Sequence, residues 1–97
     1  MTVATQWQVL RRDYSTSLQA EGKSANTLRL YLGAVDNLAS WVQDNDGPED
    51  PRDLTRTDLS QYLAARSKEW KPATCSVTFR ALQQFFGWLM REEEMTA

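Results

Sequence analysis

Apolar residues recur every three or four positions along most of the chain, which is the spacing of one face of an α-helix. The first stripe predicts a helix over about residues 4–20, with apolar positions at Trp7, Leu10, Tyr14 and Leu18. Gly22 follows this stripe and can adopt the left-handed conformation that ends many helices. No segment alternates apolar and polar residues long enough to indicate a strand.

The second stripe is the longest and predicts a helix over about residues 25–43. Ser24 precedes it and is a typical N-cap, since its hydroxyl can accept from the amides of the next turn. The apolar positions are Leu28, Tyr31, Leu32, Val35, Leu38, Ala39 and Val42. The segment 44–48 ends this helix and opens a polar loop that runs through Pro51.

Two further helices complete the pattern. Thr55 and Asp58 have the spacing of a capping box, which predicts a short third helix over about residues 56–66. Pro72 fits the first turn of a fourth helix over about residues 72–92. Its stripe consists of Cys75, Phe79, Leu82, Phe85, Phe86, Leu89 and Met90. The pattern therefore predicts a single all-α domain over residues 1–97, a compact bundle of four helices.

Composition narrows the function classes. The 97 residues suit one domain, and no apolar run approaches the length of a membrane span, so we expect no membrane partner. The single cysteine excludes an internal disulfide and favours the cytoplasm. The chain has no histidine, the commonest general base and metal ligand, and its acidic residues form no suggestive pair. We therefore expect no enzymatic activity of this chain alone, no metal and no cofactor.

The charges are polarised along the chain. The net charge of −2 at first counts against a nucleic-acid partner. However, the segment from Asp36 to Asp58 holds seven carboxylates, whereas the segment from Leu59 to Arg91 holds one, Glu69, against five basic residues. An acidic middle is therefore followed by a basic stretch.

Two helix starts combine hydroxyls, amides and basic residues, at 23–29 and at 71–80. We call them the first and the second opening. Unpaired amides and the partial positive charge of a helix N-terminus suit a phosphate oxygen. For either opening taken singly, ordinary helix capping is the better explanation of these residue types. The occurrence of two such openings favours a binding site more than either one does. The fourth helix adds a face of neutral polar residues, which suits either the wall of a nucleic-acid groove or contact with another domain: Thr74, Ser76, Thr78, Gln83 and Gln84.

These features together resemble the N-terminal core-binding (SAM-like) domain of tyrosine recombinases, the phage-integrase family. The resemblance lies in the order of four segments more than in any single motif. They are Tyr14 and Leu18 before Gly22, the opening of the second helix at 24–31, the capped entry at 53–59 with Tyr62-Leu63, and Pro72-Ala73-Thr74 followed by 80–89.

The resemblance implies a DNA-binding domain that clamps one side of a duplex, while a C-terminal catalytic domain of the same full-length protein performs the chemistry. Its partners would be double-stranded DNA, that catalytic domain and other recombinase protomers. The matching DNA-binding positions are Lys23, Ser24, Asn26, Thr27, Arg29, Lys71, Thr74, Ser76 and Arg80. Thr27 and Thr74 have the alternative role of bonding within the helix start. The acidity predicts weak binding by this domain alone, and it leaves open a helical protein–protein interaction domain without DNA contact.

Overall fold

Four α-helices follow one another in the computed structural model, which describes residues 4–48 and 50–96, with side chains described from 6 to 92 apart from residue 49. They are α1 (Ala4–Ala20), α2 (Ala25–Asp44), α3 (Arg56–Ser67) and α4 (Pro72–Thr96), and a 3-10 helix, Pro51–Asp53, precedes α3. The described residues contain no strand. The all-α prediction is confirmed.

Local signals determine where the helices begin and end. Gly22 adopts a positive φ of 79° in the turn between α1 and α2. The Ser24 hydroxyl accepts from the amide of Thr27 at 3.2 Å, so Ser24 is the N-cap of α2. At α3 both halves of the capping box are present, because Asp58 N donates to Thr55 Oγ1 and Thr55 N donates to Asp58 Oδ2.

The core centres on Phe85 of α4, which is fully buried. Tyr14 of α1 packs edge-on against Phe85, with the ring centroids 5.1 Å apart, and also contacts Trp88. From α2, Val35, Leu38 and Val42 are buried in the same cluster. α1 and α2 run antiparallel, since Trp7 lies near Pro48 and Arg11 pairs with Asp36 at 2.6 Å.

The buried face of α4 differs from the predicted one. Thr78 was expected on the polar face but is 8% exposed, whereas Phe79 was expected in the core and is 43% exposed. Met90, also expected in the core, is 65% exposed, and Cys75 is only half-buried. The core positions of α4 follow the spacing of Thr78, Leu82, Phe85 and Leu89, a single helical stripe that excludes Phe79 and Met90.

Two segments also depart from the expected helix boundaries. α4 continues to Thr96, beyond the expected end near residue 92. Arg91 and the glutamates after it are good helix formers, and this preference outweighs the unfavourable helix dipole. The loop before α3 contains the 3-10 helix, in which Pro51 is buried and Asp50 caps the amide of Arg52.

Candidate nucleic-acid interface

The first opening is largely bonded to itself. The Ser24 hydroxyl donates to Thr27 Oγ1 at 3.0 Å, and the Arg29 guanidinium donates to Asn26 Oδ1 at 2.6 Å. Lys23 lies 3.9 Å from the carboxylate of Glu21. Ser24, Asn26 and Arg29 are exposed, whereas Thr27 is half-buried. The structure therefore presents Asn26 and Arg29 as a bonded pair on the surface of the first turn, while the Ser24 hydroxyl acts as the cap.

The second opening is not capped by a side chain. Lys71 occupies the position before Pro72, and only its carbonyl is used, accepting from the amide of Cys75 at 3.1 Å. Among the described residues, no side chain accepts a hydrogen bond from the amides of Ala73 or Thr74. Lys71, Thr74, Ser76 and Arg80 are all exposed around this helix start. The second opening thus presents unpaired amides beside basic side chains, the arrangement that suits an anion.

The two openings lie at different points along α2. The turn before α4 is attached to α2 through Arg66, whose Nε donates to Asn37 Oδ1 at 3.1 Å. Asn37 lies about three turns beyond Asn26, roughly 16 Å along the axis of α2. Within the described residues, no hydrogen bond or ion pair joins the two openings directly. They are therefore two separate contact points and not one pocket.

Some basic side chains of the domain contact a carboxylate, whereas others do not. Arg11, Arg52 and Arg66 each contact a carboxylate, and the hydrogen bonds from Arg52 hold the pKa of Asp50 below its ordinary value. By contrast, six exposed cations form no ion pair within the part of the chain that the structure describes: Arg29, Arg56, Lys68, Lys71, Arg80 and Arg91. Four of these belong to α4 or to the turn before it, and three of the four, Lys68, Lys71 and Arg80, lie at or beside the second opening. This is where a polyanion would find positive charge that is not already neutralised.

Sequence reasoning did not single out Lys68 and Arg66 as candidate residues. Lys68 is the C-cap residue of α3 and shares the connection to α4 with Lys71. Lys68 lies only three residues before Lys71, but a lysine at a helix end is common on any protein surface, so its residue type gave no signal. Trp70, between them, is half-buried and stacks on Arg66, with 5.3 Å between the ring centroid and Cζ.

An apolar groove of about 640 Å³ lies between α4, α3 and the 3-10 helix. Its apolar lining includes Leu54, Leu59, Leu63, Phe79, Phe86 and Met90. The charged residues in its lining are Arg52 and Arg56, and no carboxylate lines it. The groove explains why two large apolar residues of α4, Phe79 and Met90, lie outside the core.

Neither a metal-binding cluster nor a membrane-spanning helix is found among the described residues. They contain no group of three or more cysteine, aspartate or glutamate side chains arranged to hold a metal ion. None of their helices is long and apolar enough to cross a membrane. This part of the chain is an all-helical domain in which most of the exposed, unpaired cations lie before and along α4.

Comparisons with known proteins agree with this class. The family described as phage integrase, N-terminal SAM-like domain, matches residues 10–95. The tyrosine recombinase XerD of Listeria monocytogenes serotype 4b is 32% identical over 76 residues, which are 77% of this chain and 26% of that protein. The tyrosine recombinase XerD of Listeria innocua serovar 6a is 30% identical over 77 residues, 78% of this chain and 26% of that protein. No solved structure matches.

The family match covers nearly the whole chain, and the chain therefore belongs to the tyrosine recombinase (phage integrase) family, in which it corresponds to the N-terminal SAM-like domain. The predicted resemblance is confirmed. The chain spans about a quarter of the length of the curated relatives that it matches.

Proposed function

We propose that this chain is a DNA-binding domain of a site-specific tyrosine recombinase and that it holds one side of the duplex at the recombination site. The observation that carries the proposal is the group of exposed cations that lie at or beside the two openings and have no carboxylate partner among the described residues: Arg29, Lys68, Lys71 and Arg80. Neutralising phosphates with such groups releases counterions, which is the main source of affinity in many protein–DNA complexes.

The second opening is the stronger candidate for phosphate contact. The amides of Ala73 and Thr74 have no side-chain acceptor within the described chain, and Lys71 and Arg80 are exposed nearby. A phosphate oxygen can accept from such amides and is favoured by the helix dipole. At the first opening, Ser24 already caps the helix, so Arg29 and Asn26 are the groups left to meet DNA.

In this proposal the chemical steps of recombination belong to another domain of the recombinase. Strand cleavage and exchange are assigned to a C-terminal catalytic domain of the same protein, and this chain binds the DNA without taking part in catalysis. The acidic segment from Asp36 to Asp58 would be repelled by DNA and therefore faces away from it. The net charge of −2 implies that this domain alone binds loosely. A recombinase of this kind acts on DNA in the cytoplasm, where we place the protein.

A titration followed by nuclear magnetic resonance tests the proposal. A ¹⁵N-labelled sample receives a short duplex in low salt, and amide shifts are followed to millimolar DNA. We expect the perturbed amides to map to residues 23–29 and 68–80. Perturbations confined to residues 36–58, or none at all, would refute DNA binding.

The apolar groove favours a second role beside the first, contact with a neighbouring recombinase protomer on DNA. Its arginine rim and apolar lining fit an apolar helix with acidic residues, and Phe79 and Met90 are exposed there. Two copies on one long duplex would then bind cooperatively. Phe79→Ser and Met90→Ser should abolish this cooperativity without changing the affinity of the first copy, as measured by sedimentation on duplexes that admit one or two copies. Equal cooperativity in the variants would exclude the groove as the contact.

A further inference from the structure

Arg66 is a charged residue that the fold holds like a core residue. Its side chain is 19% exposed although it lies in the last turn of α3. Its Cζ lies 5.4 Å from the ring centroid of Tyr62 and 5.3 Å from that of Trp70, so two aromatic rings contact the guanidinium. Such contacts favour a planar, weakly hydrated cation.

Hydrogen bonds fix the guanidinium further. Its Nε donates to Asn37 Oδ1 at 3.1 Å, and the same oxygen accepts from the Tyr62 hydroxyl at 2.6 Å. Its terminal nitrogen lies 3.1 Å from the carboxylate of Glu69. Arg66 therefore connects three parts of the molecule, namely the middle of α2, the buried side of α3 and the turn after α3.

That turn is short and carries two of the exposed cations. α3 ends at Ser67 and α4 begins at Pro72, and Lys68 and Lys71 lie between them. The carbonyl of Arg66 accepts from the amides of Glu69 and Trp70, at 2.9 and 2.7 Å. Its side chain meanwhile holds the side chains of these same two residues. The backbone and side chain of one residue thus order the whole connection.

The contact with Glu69 has an electrostatic consequence. Glu69 is the only carboxylate between Leu59 and Arg91 in the sequence. By pairing with it, Arg66 prevents this carboxylate from neutralising Lys68 or Lys71 and from repelling an approaching phosphate. The arginine itself has little surface left for a phosphate, because its rings and partners cover most of it.

We propose that Arg66 is a positioning residue for DNA binding: held by Tyr62, Trp70 and Asn37, it orders the turn that presents Lys68 and Lys71 at the second opening. This inference rests on the proposed function. We call the contact of the Arg66 guanidinium with the rings of Tyr62 and Trp70 the stack. Lysine at position 66 would keep the positive charge, but it would lose the stack and the hydrogen bond from Nε. The positioning role therefore predicts that Arg66→Lys behaves like the uncharged Arg66→Met, whereas a direct phosphate contact predicts that lysine retains binding.

The experiment compares the wild-type chain with Arg66→Lys, Arg66→Met and Trp70→Leu. Trp70→Leu removes only the outer ring of the stack and leaves the bonds to Asn37 intact. The control is Arg12→Lys, which makes the same exchange at an exposed arginine of α1 that lies beside Asp13. Urea unfolding of each variant establishes that it is folded. The ¹H–¹⁵N heteronuclear Overhauser effect of residues 68–71 reports order in the free protein, and fluorescence anisotropy with a labelled duplex reports affinity.

We expect all three variants at the stack to show lower Overhauser values over residues 68–71. They should also bind roughly fivefold more weakly, the loss expected when one or two phosphate contacts become disordered. Arg12→Lys should match the wild type. Full binding by Arg66→Lys, or unchanged order in the turn of all folded variants, would overturn the positioning role. A wild-type chain that binds no duplex would instead refute the proposed function, and the inference with it.

Discussion

Gly47 lies against Val42 just beyond the end of α2, and its amide donates to the Val42 carbonyl at 2.8 Å. A Cβ at this glycine would lie 2.6 Å from Val42 Cγ1 and 3.2 Å from the Val42 carbonyl oxygen. Val42 is 1% exposed and cannot turn away without disturbing the core. The close approach of the chain at Gly47 therefore requires glycine.

Gly47→Ala is expected to destabilise the fold by about 1–3 kcal/mol, the usual cost of overpacking a well-packed site. The free energy of unfolding in urea measures it. Gly33→Ala is the matched control, since Gly33 lies within α2 and a Cβ there would have nothing within 4 Å. That change should stabilise the protein by up to about 1 kcal/mol through higher helix propensity. Equal effects of the two variants would contradict the steric argument.

The capping box of α3 provides a second prediction. Thr55→Ala removes the acceptor of the Asp58 amide and should cost about 0.5–2 kcal/mol of unfolding free energy. Thr57→Ala, an exposed threonine in the same turn, is the control and should change stability little. Thr55 lies at the start of α3 and Arg66 lies in its last turn, so the Thr55 variant changes the cap without changing the contacts of Arg66. A loss as large for Thr57 as for Thr55 would show that the box is not responsible.

Stability at high pH should depend on Tyr14. Burial raises the pKa of Tyr14 from its ordinary value of 10.0 to about 12. As the pH rises, the unfolded chain therefore releases the Tyr14 proton before the folded chain does. The contribution of the protonated tyrosine to the free energy of unfolding is complete below pH 10 and is lost as the pH rises towards 12. Burial also raises the pKa of Tyr62, which adds a loss of the same sign. Urea unfolding at pH 7 to 11 should show Tyr14→Phe losing less stability with pH than the wild type.

At neutral pH the same two tyrosines should respond in opposite ways to loss of the hydroxyl. The Tyr14 hydroxyl is buried and has no hydrogen-bond partner among the described residues, so Tyr14→Phe should be neutral or stabilising. Tyr62→Phe removes the donor to Asn37 and should cost about 1 kcal/mol. Melting temperatures at pH 7 compare the two. A larger loss for Tyr14 than for Tyr62 would contradict this account.

DNA affinity should depend on where a positive charge is removed and not only on net charge. Arg80→Gln and Lys71→Gln should each weaken duplex binding and reduce the slope of log affinity against log salt by about 0.9, as expected for one lost phosphate contact. Arg56→Gln changes the net charge equally but acts beside the apolar groove. Its slope should match the wild type. If all three variants changed the slope alike, binding would reflect overall charge alone.

Short-range signals made most of the fold predictable. The Ser24 cap, the Thr55–Asp58 box and Gly22 depend on residues within a few positions, and the structure contains each of them. The face of α4 was harder, because Thr78 and Phe79 are adjacent and about 100° apart on a helix. Hydrophobicity favoured Phe79 for the core, whereas the stripe set by Leu82, Phe85 and Leu89 includes Thr78.

The candidate site was predictable only in part, because its geometry depends on residues that are distant in the sequence. The residue types of both openings are visible in the sequence, but which of them are capped and which cations stay unpaired depends on contacts in space. Arg66 shows this most clearly, since its partner Asn37 lies 29 residues earlier in the chain. No local spacing indicates that pairing. Whether the nine predicted positions bind DNA is decided by the experiments above.

The packing of Tyr14 against Phe85 and Trp88 also bears on how the domain is made. Synthesis proceeds from the first helix to the last, so α1, α2 and α3 leave the ribosome before the aromatic residues that cover them exist. Until α4 emerges, Tyr14 lacks the two rings, Phe85 and Trp88, that it contacts in the folded domain. The apolar surface that α1 and α2 share is therefore completed only when residues 85–89 can pack on it.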